Sequence, residues 1–262
     1  MELREVIGRR RSIRFLLPHK PVEREKVQRM LEAARIASHW GNVQSLRAVV
    51  VFHDEAPQEV VEAITAPVAG FQIRLAPVVI VWYLDTGAVD EQSDRLRELL
   101  GAGALGFGEG KREALEKQLI PIFAAMREKL KEPGLGEVDC GQGIAQATLV
   151  AFEQGLGTCC LGTPNTDRIR ERLGLPETCR ILLLQTVGYP AESPEAGGQR
   201  PRQPFERLFH LNGFGNPFPR DAAVVAELER DRMLQAPAPL PWREAELEYL
   251  KRALGIKGHG LL

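Results

Sequence analysis

The chain carries no excess of positive charge: 34 Lys and Arg stand against 35 Asp and Glu, a formal net charge of −1. A polynucleotide binder needs a basic patch or stripe to neutralise phosphates, so this balance argues against nucleic acid as a partner. Cysteine is scarce. The four residues at 140, 159, 160 and 179 form no C-x-x-C, and the adjacent Cys159 and Cys160 point in different directions. That spacing argues against a disulfide framework and against a zinc site. The five histidines are scattered, with no H-E-x-x-H and no pair on one helical face, so no metal is expected. Long apolar runs are absent too. The longest, Ala76 to Leu84, is too short to cross a bilayer and contains Pro77. Glu2, Arg4 and Glu5 break any signal-peptide pattern, so no membrane association and a cytoplasmic location are expected.

What remains is ordinary globular composition, 44% hydrophobic and 26% charged over 262 residues, enough for one large or two small domains. Val27, Met30, Leu31 and Ala34 recur at helical spacing and predict a helix over 22–37 with one buried face. The apolar runs 47–53, 77–84 and 180–187 predict buried strands. Helices are expected over 57–64, 90–100, 111–131 and 167–173, and over 143–154, the last almost without charge. Five glycines within 101–110 predict a loop; its Gly-Ala-Gly-Ala-Leu-Gly follows a helix rather than a strand and so lacks the context of a dinucleotide fingerprint. Few strands and many helices imply an α+β fold with a helix-covered sheet. The division expected is a body, 1–218, and a polar helical extension, 219–262, broken by Ala-Pro-Ala-Pro-Leu-Pro.

Four segments carry candidate ligand-binding chemistry. Arg10-Arg11-Ser12-Ile13-Arg14 places three guanidiniums and a hydroxyl together, donors matched to phosphate oxygens. A solvated basic helix end is the alternative. Ala37 to Gln44 contains Asn42 and Gln44, each both donor and acceptor, as an imide-like ring edge requires, or else it is a polar helix-to-strand turn. Gly155-Leu-Gly-Thr-Cys-Cys-Leu-Gly-Thr163 lets a backbone approach a flat ligand, or simply ends a helix. Arg200-Pro-Arg202 adds two guanidiniums, or is a basic loop.

In order and spacing, these segments resemble the FMN-dependent nitroreductase family. Arg-Arg-Ser-Ile-Arg matches its R-R-S-x-R signature, and Ala-Ser-x-x-x-Asn-x-Gln at 37–44 its second motif. Asp139 to Ala151 followed by Gly-Leu-Gly-Thr is similar to its central helix and flavin-approaching loop. Val187-Gly-Tyr-Pro190 and Arg200-x-Arg202-x-Pro204 are similar to its closing strand and phosphate-binding tail. The resemblance covers Glu2 to about Phe214. Ser45 and Leu46 depart from the usual N-x-Q-P, and the tail from Pro219 goes beyond the usual end.

The resemblance implies a nitroreductase-like α+β fold, a mainly antiparallel central sheet covered by helices, and an intertwined homodimer with FMN at the interface. It implies that Arg10, Ser12, Arg200 and Arg202 hold the phosphate and ribityl chain, and that Arg14 meets the pyrimidine edge of the ring. Asn42 would bond the opposite polar edge, the backbone of Cys160, Leu161 and Gly162 would face N5, and Arg11 and Gln44 complete the set. The activity implied is ping-pong oxidation of NAD(P)H with reduction of a nitroaromatic, quinone or related electrophile, with no catalytic side chain. The same fold also serves flavin cleavage, dehalogenation or heterocycle dehydrogenation, and a non-catalytic FMN-binding protein is a further alternative. The extension is expected to wrap across the partner subunit.

Overall fold

The computed structural model describes residues 1–65 and 68–258. Strands β1 (Leu46–Phe52), β2 (Val78–Asp85), β3 (Gly157–Leu161) and β4 (Cys179–Gly188) form one antiparallel sheet in the order β1-β2-β4-β3. Three are the apolar runs. The fourth, β3, lies within the Gly-rich segment read above as a loop. It pairs from Gly157 opposite Gly188 to Leu161 opposite Leu184, and a five-residue strand framed by glycines carries little strand signal of its own.

β2 is buried along almost its whole length because both faces of the sheet are covered. Val79 and Val81 join Leu16, Ile64, Ile73 and Ile169 on one side. Val78, Ile80 and Trp82 join Met30, Ile144, Ala147 and Ala151 on the other. This double burial explains a continuous apolar run in an antiparallel strand, where one-sided burial would alternate. The Trp82 Nε1–H donates to Gln185 Oε1 at 2.8 Å, and Gln185 Nε2 donates to Thr148 Oγ1 at 2.8 Å, so the polar atoms that cross this core are paired.

Helices α1 (Leu3–Arg9) and α2 (Arg24–Arg35) precede β1, and α3 (Gln58–Ile64) and α4 (Gly70–Leu75) link β1 to β2. Then come α5 (Gln92–Gly101), α6 (Lys111–Ala114), α7 (Ile120–Lys131) and α8 (Leu135–Glu153). The expected helix 111–131 is interrupted by a π turn over Leu115–Leu119, just ahead of Pro121, which has no N–H to continue an α ladder. The expected helix 143–154 starts earlier, at Leu135, because Glu137 Oε2 accepts from the Gly134 N–H at 2.7 Å and fastens its first turn. The glycines that obscured this start have a packing purpose. A Cβ at Gly136 would lie 2.6 Å from Leu84 Cδ1, and one at Gly143 would lie 2.5 Å from Leu46 Cδ2 and 3.0 Å from the Ala34 carbonyl oxygen.

Helices α9 (Thr166–Arg172), α10 (Phe205–Leu208), α11 (Ala222–Arg230) and α12 (Arg243–Ala253) complete the chain. The extension does not stand apart from its own body. Leu250 is buried against Phe15 and Phe71, with Leu247 and Leu254 alongside. The backbone of Arg232 and Met233 lies so close to Gly8 of α1 that a Cβ there would come within 2.1 Å. The expectation that the apolar face of α12 serves a partner therefore fails for Leu247 and Leu250, since the chain's own Phe15 and Phe71 offer that face a partner. Val224 of α11 and Tyr249 of α12 remain exposed. The last four residues of the expected extension lie outside the described residues.

The crossing of α2 and α8 at Gly143 gives a direct test. Gly143→Ala should destabilise the fold by about 1–3 kcal/mol, the usual cost of overpacking. It would be read as a lower urea midpoint with an unchanged slope. An unaltered midpoint would mean that the two helices are free to separate.

Candidate functional site

After α1 the chain turns extended, and Ser12 bridges to Thr158 of β3 while the Ile13 N–H donates to the Thr158 carbonyl at 2.9 Å. This lays the arginine motif along the β3 edge of the sheet. Gly157 is needed there because a Cβ would strike the Ile13 side chain at 2.8 Å, so this glycine serves packing rather than ligand approach. Gly162 has open space around it, and Cys160 beside it is exposed.

The second basic segment folds onto the first. Arg11 is buried, donating from Nη1 to the carbonyls of Gly8 and Arg10 and from Nε to that of Gly198 at 3.2 Å. Burial, then the like charges of Arg10 and Arg200, lower its pKa. Burial followed by Arg14 and Arg243 does the same to Arg200. Arg10, Arg200 and Arg202 thus act on Arg11, and Arg14 and Arg202 on Arg200, across segments nearly two hundred residues apart in sequence, with Glu195 and Glu192 opposing them. Among the described residues none of these five arginines forms an ion pair with a carboxylate. A concentration of like charge of this kind attracts an anion.

The 39–44 segment is built differently. Gly41, Asn42 and Gln44 all take left-handed backbone, at φ 51, 55 and 55°, an arrangement costing roughly 1–2 kcal/mol for each non-glycine residue. Asp139 of α8 holds the loop in place: its Oδ2 accepts from the Trp40 N–H at 2.9 Å, and Gln142 donates to its Oδ1 at 3.4 Å. His39 Nδ1 stands 4.0 Å from the same carboxylate, both side chains being buried. The Trp40 ring packs on Phe123 of α7, and a cleft lined by Leu31, Arg35, His39, Gln44 and Arg47 opens beside the loop. Asn42 is half-buried and Gln44 exposed.

One chain brings together Arg10, Arg11, Ser12, Arg14, Arg200 and Arg202 with β3, but it leaves Asn42 and Gln44 elsewhere. The loop enters β1, the opposite edge of the sheet from β3, about 14 Å away at roughly 4.8 Å per strand. It also sits at the N-terminal end of α8, whereas β3 begins just past the C-terminal end. Asp139 and Glu153 are about 21 Å apart at roughly 1.5 Å of rise per residue.

Two acids were given no role by the sequence reading, Asp139, which opens the segment similar to the central helix, and Glu192. The Glu192 Oε1 accepts from the backbone N–H groups of Arg14, at 2.5 Å, and Phe15, at 3.1 Å. Neither acid lies in a motif with catalytic spacing, so pattern alone could not single them out. No cysteine is poised for thiolate chemistry: burial raises the Cys159 thiol and pushes that of Cys140 up to about 11. Among the described residues there is no cluster of metal-ligating side chains, and no helix is long and apolar enough to cross a membrane.

The fold and these motifs belong to a flavoprotein-type α+β class, and comparison with known proteins gives the family. The Nitroreductase family model matches residues 7–189, and the chain belongs to that family. It is 34% identical over 202 residues to an NADH dehydrogenase of Thermus thermophilus, covering 76% of this chain and 91% of that protein. It is 25% identical over 198 residues to an NADPH-dependent oxidoreductase of Staphylococcus aureus, covering 75% and 68%. A structure from Exiguobacterium sibiricum solved in complex with FMN has a TM-score of 0.62 at 23% identity, covering 78% of this chain and 94% of that one. A nitroreductase family protein from Streptococcus pneumoniae has a TM-score of 0.62 at 22% identity, covering 80% and 100%.

Burial lowers the pKa of His39, opposed by Asp139 and reinforced by Arg47, and burial likewise lowers that of His53. Both imidazoles therefore hold their protons less tightly in the fold than in the unfolded chain, which takes them up near the ordinary value of 6.5. Their contribution to stability is complete above that value and is lost as pH falls below it. The urea midpoint should drop between about pH 7.5 and about pH 5.5, and His53→Gln should shrink the drop. An equal drop in the variant would remove His53 from the account.

Proposed function

We propose that this chain is an FMN-dependent NAD(P)H oxidoreductase that acts as a homodimer on nitroaromatic, quinone or related electrophilic small molecules. The observation that carries the reading is the convergence of the Arg10–Arg14 motif with Arg200 and Arg202, joined where Arg11 Nε donates to the Gly198 carbonyl, with none of the five guanidiniums in an ion pair among the described residues. A terminal phosphate dianion matches such a cluster in charge and in the fork geometry of its donors. Arg10, Ser12, Arg200 and Arg202 hold the phosphate and ribityl chain. Arg11 braces the site by tying α1 to Gly198 and keeps Nη2 for the anion. Arg14 is assigned to the pyrimidine edge of the ring, and the backbone of Cys160, Leu161 and Gly162 to its N5 side. When bound, FMN supplies the hydride chemistry, and no side chain of this chain is needed as acid or base. The relatives named for NADH and NADPH support a nicotinamide donor.

The homodimer reading rests on the separation of the two half-sites. A two-fold pairing that runs two α8 helices antiparallel places the 39–44 loop of one copy beside the arginine cluster of the other, and Asn42 and Gln44 then complete the site. The outward face of α8 suits that pairing. Val138 is 63% exposed, Gly141, Gln142, Ala145 and Gln146 are exposed too, and no charged residue occurs from Cys140 to Phe152.

The purified protein should release FMN, not FAD, on acid treatment. Arg10→Ala and Arg202→Ala should each weaken FMN binding by about 1.5–3 kcal/mol, as for a charge-assisted hydrogen bond. Full flavin retention by both variants in dialysis would overturn the phosphate assignment. A yellow protein that oxidises neither NADH nor NADPH with any acceptor would overturn the enzyme reading.

Ala145→Arg tests the dimer by placing a charge on the outward face of α8. It should shift sedimentation velocity from dimer to monomer and release FMN in the same concentration range. A variant that stays yellow and active as a monomer would sink the shared-site reading.

A further inference from the structure

The Glu192 carboxylate has no solvent exposure, and both of its oxygens are engaged. Oε1 accepts from the backbone of Arg14 and Phe15. Oε2 accepts from Arg243 Nη2 of α12 at 2.6 Å, and the Arg243 side chain is itself only 12% exposed. Glu246, one turn further along α12, accepts from Arg243 Nη1 at 2.7 Å and from the Ser193 N–H at 2.6 Å. Two residues of α12 thus grip the Glu192–Ser193 link, while Leu250 of the same helix packs on Phe15, next to Arg14.

The other arm of the arginine cluster rests on the same extension. The Leu240 N–H donates to the Gly197 carbonyl at 2.9 Å, the Gln199 N–H donates to that of Ala236 at 2.9 Å, and the Ala238 N–H to that of Gln199 at 2.8 Å. Gly197, at φ +85°, lies under the Arg243 stem, where a Cβ would come within 2.8 Å of its Cδ. Arg200 follows Gln199 directly. Glu192, Arg243 and Glu246 all lie beyond the stretch matched by the family model, residues 7–189.

We propose that the C-terminal extension is a working part of the phosphate site. Arg243, acting through Glu192, is a positioning residue that keeps Arg200 available to the anion. This rests on the assignment of the arginine cluster to the flavin phosphate. The physical reason is charge competition. Without Arg243, the buried Glu192 carboxylate loses its guanidinium partner while still acting on Arg200, and pairing with Arg200 would withdraw a phosphate donor. Removing the carboxylate along with the guanidinium abolishes that competition.

The test measures binding of FMN and of riboflavin, which lacks the phosphate, to full-length apoprotein by quenching of flavin fluorescence. Arg243→Gln should weaken FMN binding about tenfold or more while leaving riboflavin binding within about twofold. Arg243→Lys and the double variant Arg243→Gln with Glu192→Gln should each recover most of the lost FMN preference. Equal losses for the two ligands would reduce Arg243 to a structural prop, and no loss for either would detach the extension from the site. Arg10→Ala, measured in parallel, separates the two claims. If it too leaves the preference for FMN over riboflavin unchanged, the phosphate assignment itself has failed. If it abolishes that preference while Arg243→Gln does not, only the role of the extension is overturned.

Discussion

The burial of β2 on both of its faces is the constraint from which the rest of the molecule follows. A four-stranded sheet is narrow, and a strand as apolar as Val78 to Leu84 must be covered above and below. On one side the cover is α2 and α8, brought close enough to cross by Gly143. On the other it is α3, α4 and α9 together with Ile13 inside the arginine motif and Leu16 just beyond it. The motif is therefore anchored by these apolar residues. Ile13 and Leu16 face inward, so Arg14 and the segment before it run along the sheet edge, where guanidinium groups can stay solvated or meet an anion.

The same coverage separates the polar segments. With both faces closed, polar segments are confined to the edges and ends of the sheet, and α8 spans the distance between them. The 39–44 loop is held at one end by Asp139, and the arginine cluster is held at the other by Glu192. These two acids do equivalent jobs. Each is a buried carboxylate that accepts a backbone N–H from the motif it steadies, and in each case that hydrogen bond offsets the cost of burying the charge. Glu192 gains a guanidinium as well, and the result is a rigid backbone under side chains that must stay unpaired.

Much of the architecture was legible in the sequence because it depends on local periodicity. The helix at 24–35 and the strands at 46–52, 78–85 and 179–188 follow from apolar residues at helical spacing or in continuous runs, and their ends fall within a few residues of expectation. The arginine motif, the Asn42–Gln44 loop and Arg200–Arg202 were visible as residue types suited to an anionic, flat ligand. Even the Gly-rich 101–110 segment behaved as read, with Gly103, Gly106, Gly108 and Gly110 all in left-handed turns after a helix.

Tertiary structure alone decided the rest, and the reason is that long-range contacts leave no periodic trace. β3 exists because β4 and Ser12 lie on either side of it, not because five residues between glycines prefer to extend. Gly157 looked like an opening for a ligand and is in fact the space filled by Ile13. Asp139 and Glu192 read as ordinary acids until folding buries each beneath a loop distant in sequence. The extension read as a strap for a neighbour until Leu250 found Phe15 and Arg243 found Glu192. Sequence by itself determined which segments are apolar, which are basic and how each folds locally. Which basic groups meet, and which carboxylates hold them apart, was decided only when the sheet was closed on both sides.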